Sequence, residues 1–166
     1  MGVSAGNLTN DSEAWRLRLL ESGSAITAAL ASVERIAVIG MKTAEAGGPA
    51  FYVPQDALER GYDIVPVPVY FPEVTSILDI PVHRSLRTIA PPVDSVVLFR
   101  RPSDIPQHLD DLLAARPRLV WMQLGIRHEA VAETLAHAGI AVVQDHCLMV
   151  ELERRALRRP ARPPIA

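Results

Sequence analysis

Apolar residues in this chain gather into short runs, separated by longer segments in which apolar and polar positions recur with a helical period. "RIAVI" at 35–39, "YDIVPV" at 62–67, "SVVLF" at 95–99, "RLVWMQ" at 118–123 and "IAVV" at 140–143 are brief and rich in β-branched residues. Runs of this kind are strands buried on both faces. The intervening segments read as helices. One covers "AFYVPQDALER", with Pro49 suited to a first helical position, Gly61 as its stop, and Pro54 kinking it or delaying its start. A second is capped by Ser103 or Asp104 and runs to Arg116, a third runs from Arg127 to Ala138 and closes at Gly139, and a fourth begins near Leu148. Between the second and third strands the pattern predicts a strand stub at 80–82 and a short helix at 85–89. Ahead of the first strand, Asn10 to Ser12 cap a helix carrying Trp15, Leu17, Leu19 and Leu20, and a second short helix spans Ser24 to Ser32.

Strand and helix taking turns argues for a parallel sheet, because each parallel connection needs a crossover and a helix is the usual one. The expected fold is therefore α/β, a doubly wound and mostly parallel sheet in three layers with an N-terminal helical extension. Residues 1–33 form the extension, 34–155 the sheet domain, and 156–166 a disordered tail, since "ERRALRRPARPPIA" is basic, proline-rich and has little to bury.

Composition narrows the function classes. At 166 residues, 49% hydrophobic and 22% charged, the chain supports one sizeable core. A formal net charge of -2 gives no basic face for nucleic acid. The single cysteine, Cys147, cannot form an internal disulfide, which fits a reducing cytoplasm. The start lacks a basic segment followed by an apolar run, and no stretch reaches the roughly 18 apolar residues of a membrane span. Pairing of two copies through a helix face is compatible with so small a domain.

In open α/β sheets ligands bind outside the carboxyl ends of the strands, so the loops after Gly40, Val67, Phe99, Gln123 and Val143 carry the candidate site. A dinucleotide fingerprint would place glycines at positions 42 and 45, where this chain has Lys42 and Glu45, and "VPVPVYF" at 65–71 has neither an acid for ribose hydroxyls nor an arginine for a 2′-phosphate. NAD and NADP are therefore disfavoured. Gly40 still permits close backbone approach, and a helix opening at Pro49 and Ala50 presents free N–H groups and a positive dipole end. Arg100 and Arg101 can fork onto phosphate oxygens, Phe99 can lie against a flat base, and Gln123 and Gly125 add a polar group and bare backbone. The same residues also fit a plain strand-to-helix connection and a pair of surface arginines beside a capped helix. Trp121 is assigned to the core.

In combination, "IAVIG", "GPAFYVP", "GYDIVPV", "FRRPSD", "VWMQLGIR" and "DHCLMVE" resemble the small bacterial CoA-binding proteins. Their Rossmann-like domain is similar to the CoA-binding domain of the succinyl-CoA synthetase alpha subunit. The resemblance covers about residues 30 to 155 and implies coenzyme A, or an acyl-CoA, across the strand ends. It implies that Gly40, Met41 and Lys42 approach the phosphates, Val67 and Pro68 border the adenosine, Phe99 and Arg100 close the other side, and Gln123, Gly125 and Ile126 face the pantetheine arm. Where the family commonly reads Arg-Pro-Ser this chain has Gly48, Pro49 and Ala50; where it reads Pro-Val-Asn-Pro this chain has Pro66, Val67, Pro68 and Val69; and His146 replaces an arginine.

Catalytic signals are sparse. Asp145, His146 and Cys147 suggest a nucleophile, but neighbours on a strand point to opposite faces, so His146 is badly placed to deprotonate Cys147. An ordinary packed cysteine is the expectation, with a mixed disulfide to the CoA thiol as the alternative. His83, His108, His128 and His137 form no metal motif, and there is no P-loop or nucleophile elbow. The expected function is non-catalytic binding of a small nucleotide ligand, CoA or acyl-CoA. An enzyme acting on a nucleotide-linked acyl group, and an interaction module that has lost its ligand, are the alternatives.

Overall fold

A computed structural model describes residues 12–160. Five strands form one sheet: β1 (Arg35–Ile39), β2 (Asp63–Val67), β5 (Ser95–Leu98), β6 (Leu119–Met122) and β7 (Ala141–Val143). Their spatial order is β2-β1-β5-β6-β7 and every pairing is parallel. The chain therefore winds outward from β1 to β2, returns to the other side of β1, and winds outward again. Strand order reverses between β1 and β5, which is where such sheets open a crevice. Between β2 and β5, β3 (Ser76–Ile77) and β4 (Ile80–Pro81) make a small antiparallel hairpin where a single stub was expected at 80–82.

Period-two alternation splits each strand between two cores. Ala37, Ile39, Val65, Val67, Val96, Leu98, Val120 and Met122 face one layer, where they meet Leu112, Val131 and Leu135. That layer holds α3 (Leu109–Ala115) and α4 (Glu129–His137). Ile36, Val38, Ile64, Val97, Leu119, Trp121 and Val143 face the other, where they meet Ile26, Leu30, Val53, Ala57 and Leu152. Those residues come from α1 (Gly23–Ala31), α2 (Pro49–Glu59) and α5 (Leu148–Arg154). This is the doubly wound, three-layer α/β fold that the alternation of runs predicts. Trp121 is fully buried, and its indole N–H donates to the His146 carbonyl at 2.8 Å.

Two expected helices differ from the pattern. The helix expected from Ser103 to Arg116 is a 3-10 segment over Pro102–His108 followed by α3, because Pro106 has no N–H to continue an α ladder. The first expected helix is also a 3-10 turn, Ala14–Arg18, and Asn10 and Asp11 of its expected cap lie outside the described residues. After that turn the chain runs along the sheet edge: Leu19 bridges Val142 in parallel, and the Leu20 N–H donates to the Val142 carbonyl at 2.9 Å. Trp15 stacks on His137 with ring centroids 4.6 Å apart, tying this strap to α4.

The tail expected from 156 onward is packed as far as it is described. Leu157 joins the second core, and the Arg159 N–H donates to the Arg60 carbonyl at 2.7 Å. The Arg159 guanidinium lies over the Tyr62 ring and donates to the carbonyls of Leu30 and Ala31 at the end of α1 and of Val33 just beyond it. Arginine near a helix C-terminus is a favourable match for those carbonyls. Among the described residues no helix is long and apolar enough to cross a membrane.

Candidate functional site

The two strands at the reversal point come into close contact just beyond their ends. Gly40 has φ +83°, and its N–H donates to the Val67 carbonyl at 2.9 Å. A Cβ on Gly40 would lie 2.3 Å from the Phe99 carbonyl oxygen. Only glycine fits there, on sterics and on backbone angle alike. With the β1 and β5 ends held together in this way, the loops that follow diverge around a pocket of about 510 Å³.

Loops after three strands build its wall. From the loop after β1 come Lys42, Gly47 and Gly48, continued by Pro49, Ala50 and Tyr52 from the first turn of α2. Phe99, Arg100, Arg101 and Pro102 follow β5, and Gln123, Leu124 and Ile126 follow β6, with Cys147 at the foot of α5. Gly48 precedes Pro49, which occupies the first helical position as expected, and Phe51 and Tyr52 both donate to the Gly48 carbonyl at 3.0 Å. The Gly48 and Ala50 amides have no partner among the described residues, so the pocket's rim carries open donors at the positive end of α2.

Charge is unevenly committed. Lys42 is exposed and makes no ion pair among the described residues. Arg101 is exposed but its Nε donates to Asp104 at 3.0 Å, which holds its pKa above the ordinary value. Arg100 is buried, and its Nε donates to His108 Nε2 at 3.1 Å, with Nη2 3.8 Å from Asp104 and the Tyr70 ring at 5.8 Å. An acceptor Nε2 means that His108 is neutral with its proton on Nδ1. Burial pushes the His108 pKa below its ordinary value, and the Arg100 charge adds to that. Arg100 is thus held from within the protein, whereas Lys42 is available to a ligand.

Gln123 is 3% exposed. Its Oε1 accepts from the Leu148 N–H at 3.2 Å, which leaves Nε2 as the free end of the amide on the pocket side. Tyr52 and Leu124 are exposed at the rim. The pocket therefore has cationic and amide donors at the α2 end, largely apolar walls, and one amide donor near Cys147.

The residues expected from the sequence divide. Lys42, Pro49, Ala50, Phe99, Arg100, Arg101, Gln123 and Ile126 line this pocket together. Gly40 shapes it from behind. Met41 is 1% exposed and packs in the core beneath, because the strand's alternation continues one residue past Gly40 and turns that side chain inward. Gly125 turns away, its N–H donating to Asp145 Oδ1 at 2.6 Å. Val67 and Pro68 line a second cavity of about 300 Å³ with Val69, Arg84 and His108. His108 faces that cavity while Arg100, its partner, faces the first, so this pair is the wall between the two.

Gly47, Tyr52, Pro102 and Leu124 also line this pocket and were not expected there, whereas Cys147 lines it as the mixed-disulfide alternative would require. The signals were faint: Tyr52 is one helical turn beyond Pro49, and Leu124 is a large apolar residue between Gln123 and Gly125. His146 and Cys147 do face apart. His146 lines a different cavity, of about 300 Å³, with Arg127 and Gln144, and its Nδ1 is 2.6 Å from the Gln144 carbonyl oxygen.

Comparison with known proteins points one way. A family model described as a CoA binding domain matches residues 34–153. The chain is 29% identical over 117 residues to the uncharacterized protein YneT of Bacillus subtilis (strain 168), covering 70% of this chain and 84% of that one. A solved Thermus thermophilus protein is 39% identical at a TM-score of 0.73, over 81% of this chain and 98% of its own. The dinucleotide-forming acetyl-coenzyme A synthetase 1 of Ca. Korarchaeum cryptofilum, solved with phosphate and ADP, shares the fold at a TM-score of 0.55 and 14% identity. That match spans 66% of this chain and 25% of the synthetase.

Proposed function

The chain belongs to the family of CoA binding domains, and from that premise we propose that it binds coenzyme A or an acyl-CoA without transforming it, in the crevice at the carboxyl edge of the sheet. The observation that carries this reading is the make-up of the main pocket. Lys42 and the open amides of Gly48 and Ala50 suit a diphosphate, and the apolar wall formed by Phe99, Leu124 and Ile126 suits a pantetheine arm whose amides need few but well-placed partners. Gln123 supplies one such partner. The adenosine then reaches over the Arg100–His108 wall towards Val67 and Pro68.

A binding role fits better than catalysis because the groups that could form a nucleophile and base pair are separated. Cys147 lines the main pocket and His146 lines another cavity. NAD fits poorly: β2 ends in Val67 and Pro68 with no carboxylate for ribose hydroxyls, and Lys42 stands where the fingerprint has its second glycine. Calorimetry with CoA, acetyl-CoA, NAD and ADP tests the proposal. Heat with CoA and acetyl-CoA but not NAD is expected. No heat with any of them would favour a fold kept for protein contacts alone.

A further inference from the structure

We infer that Cys147 is a thiol-exchange site at the inner end of the pocket, where it forms a mixed disulfide with the thiol of a pantetheine-bearing ligand. This rests on the reading that the pocket takes coenzyme A. Cys147 is the chain's only thiol and is half-buried, packing on the core beside α5 with part of its surface on the pocket wall. A cysteine so placed is reachable from the pocket and shielded elsewhere.

Gln123 supplies the independent observation. It is 3% exposed, and its Oε1 is held by the N–H of Leu148, the residue that follows Cys147. That bond orients the amide, so the end left over for a ligand is the Nε2 donor, on the wall that Cys147 shares. That donor opens on the pocket, where a ligand carbonyl can take the place of water. In the pantetheine arm the last amide, –CO–NH–, is joined to the thiol by a two-carbon link. With that carbonyl on Gln123 Nε2, the thiol falls beside Cys147, because Gln123 is bonded to the adjoining peptide unit. His146 takes no part, since it faces another cavity.

The step is ordinary exchange with a disulfide as co-reactant. The Cys147 thiolate attacks one sulfur of CoA disulfide, the new S–S bond forms as the old one breaks, and the departing CoA thiolate keeps the electron pair and takes a proton from solvent. Any small thiol reverses it.

The test uses the full chain and intact mass under non-reducing conditions, following adduct formation with CoA disulfide and, separately, with glutathione disulfide. One CoA adduct is expected, forming at least about tenfold faster than the glutathione adduct because the pocket holds the reacting sulfurs together. Gln123→Met should slow the CoA reaction more than the glutathione reaction. Equal rates with the two disulfides, or no CoA adduct on protein that binds reduced CoA by calorimetry, would overturn the inference and leave the binding proposal standing. No calorimetric binding of reduced CoA to the wild-type protein would remove both.

Discussion

Gly40→Ala is the perturbation that bears most directly on how the crevice is made. Two costs add at this position. A non-glycine residue at φ +83° is disfavoured by about 1–2 kcal/mol. The added methyl must also find room 2.3 Å from the Phe99 carbonyl oxygen and 3.1 Å from its carbon. Neither backbone can retreat freely, because Gly40 is bonded to Val67 and the Phe99 N–H to the Ile39 carbonyl, each at 2.9 Å. Overpacking of this kind costs about 1–3 kcal/mol. The sum is about 3 kcal/mol, which for a domain of this size lowers the melting temperature by about 6–12 °C. Gly139→Ala is the matched control: φ is +89° and no atom lies within 4 Å of the added Cβ, so only the first cost applies. Thermal and urea unfolding of both variants measure the difference. Equal losses would refute the argument that close approach between the β1 and β5 ends is what requires glycine and opens the pocket beyond them.

Three further outcomes follow from the geometry. Lys42→Ala should weaken CoA binding about tenfold, with the melting temperature unchanged, because this exposed side chain is placed for a charge-assisted phosphate contact in the proposed site and makes no ion pair among the described residues; titration calorimetry at two salt concentrations checks it. His108 has a folded-state pKa below its ordinary value of 6.5, so as pH falls through that value the unfolded chain takes up the proton more readily and stability declines. Urea midpoints between pH 7.5 and 5.5 should fall more for wild type than for His108→Gln, and parallel curves would contradict this. Arg159→Ala should cost about 1–3 kcal/mol in chemical unfolding, since the α1 carbonyls lose their partner and Tyr62 loses a facing cation.

Much of this architecture is legible in the chain because burial on both faces leaves an unmixed signal. "RIAVI" and "SVVLF" have few polar residues to confuse the reading, and Gly40 and Gly61 mark the ends of their elements. What the sequence does not display is set by contacts between distant residues. Pairing of β1 with β5 depends on the order in which helices cover the sheet, and parallel pairing of Leu19 with Val142 joins segments with no shared local pattern. Arg100 shows the same effect within the site. Its position beside Arg101 suggests a phosphate contact and its side chain lines the main pocket, but its Nε is committed to His108, eight residues on. Met41 follows Gly40 closely in the chain but is carried inward by strand alternation, so proximity in sequence to a crevice glycine is not proximity to its ligand. Cys147 reverses the case: a residue expected to pack in the core has part of its surface on the pocket wall, because the chain turns at Asp145, φ +58°, before α5 begins.

Amide chemical-shift mapping during titration with CoA locates the bound ligand residue by residue. With CoA in the proposed crevice, large shifts are expected at Lys42, Gly48, Ala50, Phe99, Gln123 and Leu124, with smaller ones at Val67 and Val69 and none along the Leu19–Val142 edge. Shifts concentrated on that edge, or around Arg127 and His146 with the main pocket silent, would contradict that placement.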